Sequence, residues 1–338
     1  LDLSPNATIK ANIGADAILF DKKLTASIDY FYEKRRDILI KRTASIPDYT
    51  ALSLPDENLG KVDNTGMELI LNYQNNWNEF GYNLGGNFQY NKNKVVYIDE
   101  AMDVPVYRKA EGNPIDSYVL YKTDGIFNSQ EEIDNTEAVI PGTKPGDVKY
   151  VDVNEDGQIT GADQYRTKFG RTPRVQYGIN LGFTYKSFGV NAFFHGQSGS
   201  QNMIRYSAGA TKTNLPEYFF TQRWTPENTD AKYPSAYQGN DTYTSRYSDF
   251  WLYDASFLSL QNLSITYNLP TQLVSNINFK NVQLYIQGHR LWYIWDGISA
   301  RTGTKDYNPE MGTGPGSSNP EQYYPQQRLF NIGITITL

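Results

Sequence analysis

Residues 175–197 read VQYGINLGFTYKSFGVNAFFHGQ. Val175, Tyr177, Ile179, Leu181, Phe183 and Tyr185 share one parity, while Gln176, Gly178, Asn180, Gly182, Thr184 and Lys186 share the other. After a tight connection at Ser187-Phe188-Gly189, Val190, Ala192 and Phe194 are set against Asn191, His195 and Gln197. Alternation of period two marks a strand with one apolar and one polar face, and the short link predicts an antiparallel hairpin.

The pattern recurs along the chain. Ile9, Ala11, Ile13, Ala15, Ala17 and Leu19 oppose Lys10, Asn12, Gly14 and Asp16, and Leu24, Ala26, Ile28, Tyr30 and Tyr32 oppose Thr25, Ser27, Asp29 and Glu33. Met67, Leu69, Leu71 and Tyr73 oppose Glu68, Asn72 and Gln74. After NNWNEF, Tyr82, Leu84, Gly86, Phe88 and Tyr90 oppose five polar or glycine positions. Leu263–Leu269, Val282–Ile286 and the closing Phe330–Leu338 alternate in the same way.

Composition narrows what such strands build. The 338 residues include 27 Tyr, 16 Phe and 5 Trp, yet mean hydropathy is −0.58, so apolar side chains are confined to particular faces. No stretch reaches the about 18 apolar residues a membrane-crossing helix needs, a test that strand-based membrane proteins pass through unseen. A net charge of −6, with no Lys/Arg cluster interleaved with aromatics, speaks against nucleic acid as partner. The absence of cysteine removes disulfides and thiolate metal sites. Opening at Leu1 without Met or a targeting signal, the chain reads as a processed or partial product.

A soluble sandwich also alternates, but its strands average about five or six residues, whereas a tilted bilayer crossing needs about nine to eleven. The segments here reach the longer figure, and their polar face is Asn, Gln, Gly, Thr and Ser rather than Lys and Glu. That combination predicts an all-β fold, a transmembrane antiparallel β-barrel with a hydrated lumen. Short connections (DKK, NNWNE, SFG and NLPTQLVSNINFKN) alternate with long excursions at 41–62, 96–172, 198–255 and 292–326, as periplasmic turns alternate with outer loops. Residues 1–338 then form one barrel unit of about nine strands. An odd number in an even-stranded barrel predicts at least one strand before Leu1, and it assigns Ser117–Phe127 to an outer loop.

No catalytic constellation is present. The two histidines, His195 and His289, lie in separate strand patterns without a partner motif, no phosphate-binding glycine motif occurs, and Glu131-Glu132 reads as a solvated loop pair. The aromatic loops place Trp224, Tyr243, Tyr247, Trp251, Trp292 and Trp295 beside Asp, Asn and Arg, a mixture suited to stacking on sugar rings or gripping peptide side chains. The same residues serve equally as anchors within the loops or as an interfacial girdle. The segment DVNEDGQITGAD puts Asp152, Asn154, Asp156, Gln158 and Asp163 at positions 1, 3, 5, 7 and 12 of a calcium-loop spacing, with Gly157 at position 6. It departs in carrying Asp where bidentate Glu is usual, and DxNxDG also makes an ordinary turn. Ca²⁺ is the expected ion.

Taken in order, NLGKVDNTGMELIL (58–71), GNPIDSYVLYKTDGIFNSQEEID (112–134), PGDVKYVDVNEDGQITGADQYRTKFGRTPRVQYGINLGF (145–183), RWTPENTDAKYP (223–234) and SDFWLYDASFLSLQNLSITYNLP (248–270) resemble the C-terminal part of SusC/RagA-like TonB-dependent transporters of Bacteroidetes outer membranes. The resemblance implies a plugged barrel of about 22 strands, with the plug not included here. It implies a SusD-like surface lipoprotein as lid, TonB-ExbB-ExbD coupling through the missing N-terminal part, and a dimer of transporter–lipoprotein pairs. The cargo it implies is oligosaccharide or peptide. The last residue, Leu338, departs from the aromatic residue, usually Phe, on which such barrels end. A passive porin or an adhesin without energy coupling is the alternative.

Overall fold

A computed structural model describes residues 6–42, 55–204, 216–236, 246–275, 279–305, 307–310 and 326–337. In chain order the strands are β1 (Ala7–Leu19), β2 (Leu24–Ile40), β3 (Glu57–Trp77), β4 (Phe80–Tyr97), β5 (Ser117–Tyr121), β6 (Thr123–Ile126), β7 (Val148–Tyr150), β8 (Gln164–Gly170), β9 (Val175–Tyr185), β10 (Phe188–Ser198), β11 (Gln201–Met203), β12 (Leu252–Asp254), β13 (Phe257–Asn268), β14 (Asn281–Asp296) and β15 (Leu329–Thr337). Four short helices accompany them: α1 (Gln130–Asp134), α2 (Glu217–Thr221), α3 (Thr271–Ser275) and α4 (Gly297–Thr302). No helix among the described residues is long and apolar enough to cross a membrane.

Nine strands form one antiparallel sheet in the order β1-β2-β3-β4-β9-β10-β13-β14-β15. Its register turns the period-two pattern into continuous stripes. Tyr82, Phe183, Val190, Ile265, Ile286 and Ile332 pair across six strands, and the adjoining row is Asn83, Gly182, Asn191, Ser264, Gln287 and Asn331. The apolar stripes form a broad exposed surface, with Ile13, Leu84, Ile179, Ile286 and Ile332 all open, a surface that only lipid satisfies. On the polar face a Cβ at Gly182 would run into the side chains of Asn83 and Asn191, so glycine there lets two amides close over the backbone. The alternation is imperfect: Ile18, Ile70, Phe31 and Phe193 also lie on the polar face, opposite Thr25, Asn87, Asn12 and Asn180.

The eleven residues of β9 extend about 36 Å, which at a tilt near 45° projects to about 25 Å of hydrocarbon. Aromatics gather where the apolar stripes meet the short turns: Tyr73 with Tyr82 (5.8 Å between centroids), Phe80 with Phe183 (6.2 Å) and Phe188 with Tyr267 (4.6 Å). This is the position of an interfacial girdle, where amphipathic rings bridge lipid and water.

Several boundaries differ from the sequence expectation. β3 begins at Glu57 and pairs with β2 out to Ile40, so the excursion predicted at 41–62 is shorter by the length of an extended hairpin. β14 continues to Asp296, which moves Trp292 and Trp295 from the predicted loop 292–326 onto a strand. The turn read at NNWNE contracts to Asn78-Glu79, because cross-strand pairing holds through Trp77 and Phe80 and Asn78 adopts φ 53°. The SFG link likewise contracts to Lys186-Ser187, with Lys186 at φ 52° and Phe188 already paired to Tyr185. Positive φ at the first turn residue matches the twist of the flanking strands. Ser117–Tyr121 and Thr123–Ile126 are strands, but they pair with β8 and β7 outside the main sheet.

β1 and β15 each have one neighbour among the described residues, so the nine-stranded sheet is open at both edges. Placing a charge at mid-band tests which face meets lipid. Leu181→Lys should weaken folding of the full-length barrel into vesicles by about 2–4 kcal/mol. Asn180→Lys, one residue away on the polar face, should change it little, as read by denaturant titration. Equal penalties would sink the facial assignment.

Candidate functional site

Between the long sheet strands, the excursions at 98–174 and 199–256 and the segment after β14 fold onto one another. Leu120, Val148 and Tyr150 come from the first, Met203, Ile204, Phe219, Tyr233, Trp251 and Tyr253 from the second, and Ile298 from α4, and they share one buried cluster. Trp251 stacks near Phe219 at 6.1 Å and meets Phe250 edge-on at 5.0 Å, while Tyr218 lies 5.4 Å from Tyr233. Long loops gain stability in this way only by pooling apolar surface, since no one of them encloses a core alone.

Polar ties fix the register of this cap. Asp249 accepts hydrogen bonds from Thr123 Oγ1 at 2.5 Å and from the Tyr165 hydroxyl at 3.0 Å, joining the first two excursions. Burial, reinforced by the Asp249 charge, pushes the Tyr165 phenol far above its ordinary value, so it stays a donor at any ordinary pH. Arg301 of α4 donates to the carbonyls of Leu252 (3.1 Å) and Phe250 (2.5 Å), and its guanidinium lies 4.4 Å from the Tyr253 ring centre. Asp296, almost fully buried, caps α4 by accepting from Ser299 N at 2.6 Å. Gly146, at φ 94°, sits against the Trp224 ring where a Cβ would collide.

The aromatic candidates therefore separate. Trp251 is fully buried at the centre of the loop core and offers no face to a solute, which corrects its reading as a binding residue. Trp224 is half-buried against the same core. Tyr247 is exposed, and its carbonyl accepts from Tyr121 N at 2.9 Å. Trp292 and Trp295 are each about half exposed and pair with Leu260 and Leu258, the parity of the apolar face. Tyr243 lies outside the described residues. The five among the described residues are not brought together into one cleft.

Residues 152–163 form a tight chain of side-chain-capped turns. Asp152 accepts from Glu155 N (2.8 Å) and Gly157 N (2.7 Å), and Asp156 accepts from Gln158 N (2.9 Å) and Asn154 Nδ2 (2.8 Å). Asp163, fully buried, accepts from Val153 N at 2.9 Å and Thr160 N at 2.6 Å. Burial opposes charge on Asp152, but the Gly157, Asp156 and Glu155 amides outweigh it and hold the carboxyl below its ordinary range, with Asp163 within reach. Among the described residues no three His, Cys, Asp or Glu side chains gather as a metal cage. His195 packs edge-on to Phe257 at 5.4 Å, and His289 Nδ1 lies 2.7 Å from Asn262 Oδ1, each with a structural neighbour. Glu132 is tied to Lys149 at 3.1 Å.

One further cluster escaped the sequence reading. β13 and β14 lose simple alternation near their outer ends: Gln261 faces Arg290-Leu291, and Ile294 is an extra residue between paired Tyr293 and Trp295. Around this irregularity lies a cavity of about 240 Å³ lined by Ser259, Gln261, Arg290, Trp292, Tyr293, Lys305, Tyr307, Asn308 and Arg328, among others. The slip is visible in FLSLQNLSITY, where Leu258 and Leu260 give way to Leu263 and Ile265. The partners that make it a cavity lie further along the chain.

No family model matches the chain. It is 29% identical to TonB-dependent receptor P3 of Formosa agariphila over 96% of its own length and 33% of that protein. It is 24% identical to TonB-dependent receptor SusC of Bacteroides thetaiotaomicron over 96% of its length and 31% of that protein. Among solved structures, the RagAB peptide importer in its "open-open" state matches all of the chain with a TM-score of 0.74 at 22% identity, over 35% of that chain. The chain thus spans about a third of the length of the curated relatives it matches. Its striped sheet, turns and loops define a sector of an outer-membrane β-barrel wall. Within that class, the chain is similar over nearly its whole length to part of the SusC/RagA-like TonB-dependent transporters.

The loop core predicts a separable failure. In the full-length protein, Trp251→Ala should destabilise the packed loops by about 3–5 kcal/mol, seen as faster protease cleavage within 199–256 while the barrel keeps its heat-modifiable mobility on gels. Unchanged cleavage would show that the loops do not rely on this core.

Proposed function

We propose that the intact protein imports an oligomeric nutrient, oligosaccharide or peptide, across the outer membrane with energy delivered through TonB. The observation that carries this is the match over nearly the whole chain to proteins named TonB-dependent receptors, on a fold shared with a structure titled a peptide importer. The SusC and RagAB likenesses also support a SusD-like lipoprotein as partner at the outer loops. Cells that depend on this protein for a glycan or peptide nutrient should lose uptake when TonB is deleted, and the purified full-length protein should not conduct continuously in a planar bilayer. TonB-independent uptake with open-channel conductance would favour a passive porin instead.

We further infer that residues 152–163 take Ca²⁺ as a fastening for the first long loop. Support comes from Asp163, a fully buried carboxylate within reach of Asp152, with no lysine or arginine ion-paired to either among the described residues. A hard cation held by these two carboxylates would draw further oxygens from Asn154, Asp156 and the Gln158 carbonyl. Ca²⁺ should win over Mg²⁺, which demands near-octahedral geometry. Loop cleavage in the full-length protein should be slower in Ca²⁺ than in EDTA, and Asp152→Ala with Asp156→Ala should abolish the difference. Identical cleavage in Ca²⁺ and EDTA would leave the segment a turn.

A further inference from the structure

The cavity at the β13–β14 irregularity has a chemistry that the transport reading does not specify. Three cations, Arg290, Lys305 and Arg328, line it, and none has a hydrogen-bonded or ion-paired partner among the described residues. Glu310 lies close by, but its Oε1 accepts from the Tyr293 hydroxyl at 3.0 Å and from Gln261 Nε2 at 2.9 Å, and it is not among the cavity's lining residues. Tyr293 also donates to Asn308 Oδ1 at 2.7 Å, which pins the loop over the strand. The loop is pinned again where Tyr307 meets Tyr218 edge-on at 6.1 Å. The walls are thus held by hydrogen bonds and ring contacts while the cations stay available.

We propose that this cavity binds one anionic sugar unit, a uronate or sulfated residue, of a longer saccharide. The rings of Tyr293 and Tyr307 suit the C–H face of a sugar ring, and Asn308 Nδ2, buried without a hydrogen-bond partner among the described residues, and the amide of Gln326 suit its hydroxyls. Arginine matches carboxylate and sulfate through paired N–H donors, and a pocket with three cations that lack a hydrogen-bonded or ion-paired partner among the described residues favours a ligand that brings negative charge. At about 240 Å³ the cavity is smaller than the about 300–1,000 Å³ typical of whole-ligand pockets, so it takes a single unit of the chain. An acidic peptide would satisfy the cations but would leave the tyrosine rings and the free amide groups without their matching surface.

As a route for cargo this rests on the import reading, but the binding event does not. Binding of trigalacturonate, a chondroitin sulfate tetrasaccharide, neutral cellotriose and a tri-aspartate peptide to the detergent-purified full-length protein would be compared by calorimetry. At least one charged saccharide should bind more tightly than cellotriose and tri-aspartate, and added salt should weaken it. Arg290→Gln and Lys305→Gln should each cost on the order of tenfold in its affinity. Lys305→Gln alters a loop residue outside the sheet, so its effect does not depend on barrel folding. No binding of either charged saccharide, equal binding of cellotriose or tri-aspartate, or affinity unmoved by both substitutions would overturn the proposal. Purified lipopolysaccharide competing for the site would identify the outer leaflet as the source of the sugar. TonB-independent uptake with the binding intact would sink only the import reading.

Discussion

Hydrocarbon offers no partner to a peptide N–H or C=O, and that constraint governs the rest of this structure. Each crossing strand must pair along its length, so β2, β3 and β4 form ladders with few interruptions, and the β3–β4 turn is reduced to two residues. Lateral pairing in turn fixes register, and register aligns the alternating side chains into stripes such as Tyr82-Phe183-Val190-Ile265-Ile286-Ile332. The open edges at β1 and β15 follow the same logic: a sheet that is a sector of a wall is complete only when its edges are paired.

Outside the membrane water returns, and irregularity becomes affordable. Bulges appear at Ile38, Gln261 and Arg290-Leu291, and the excursions give up the ladder for a shared aromatic core. There the stabilising currency changes from backbone pairing to burial. Trp251, Phe219 and Tyr233 contribute apolar area, while Asp249, Asp296 and Arg301 set which loop lies against which. The result is a rigid cap rather than a set of independent loops, and a rigid cap is what holds a cavity's walls in place at the barrel rim.

The cap also explains why aromatic residues in outer loops are poor guides to binding when read singly. Trp251 and Trp292 stand in similar company in the sequence, each beside Tyr, Asp and Arg. One is wholly enclosed, the other half exposed beside three cations. The difference is made by residues distant in the chain, Phe219 and Leu120 in one case and Tyr307 and Arg328 in the other.

What the sequence determined by itself was the strand pattern and its two faces, because period-two alternation is a local property: Leu181 and Asn180 announce opposite sides without reference to any other strand. It also carried the family likeness and the asymmetry of short turns and long loops. Strand ends were less legible. The outer part of β3 and of β14 runs past the alternating core through Asn58, Lys61 and Trp292, residues that pair because a neighbour is there. The tertiary structure alone decided which loop aromatics form a core, how Asp152 and Asp163 divide between capping amides and facing one another, and that β13 and β14 with Lys305, Tyr307, Asn308 and Arg328 enclose a basic cavity. Those outcomes depend on contacts between distant segments, whose geometry is set by the closure of loops over a sheet and leaves no periodic trace in the chain.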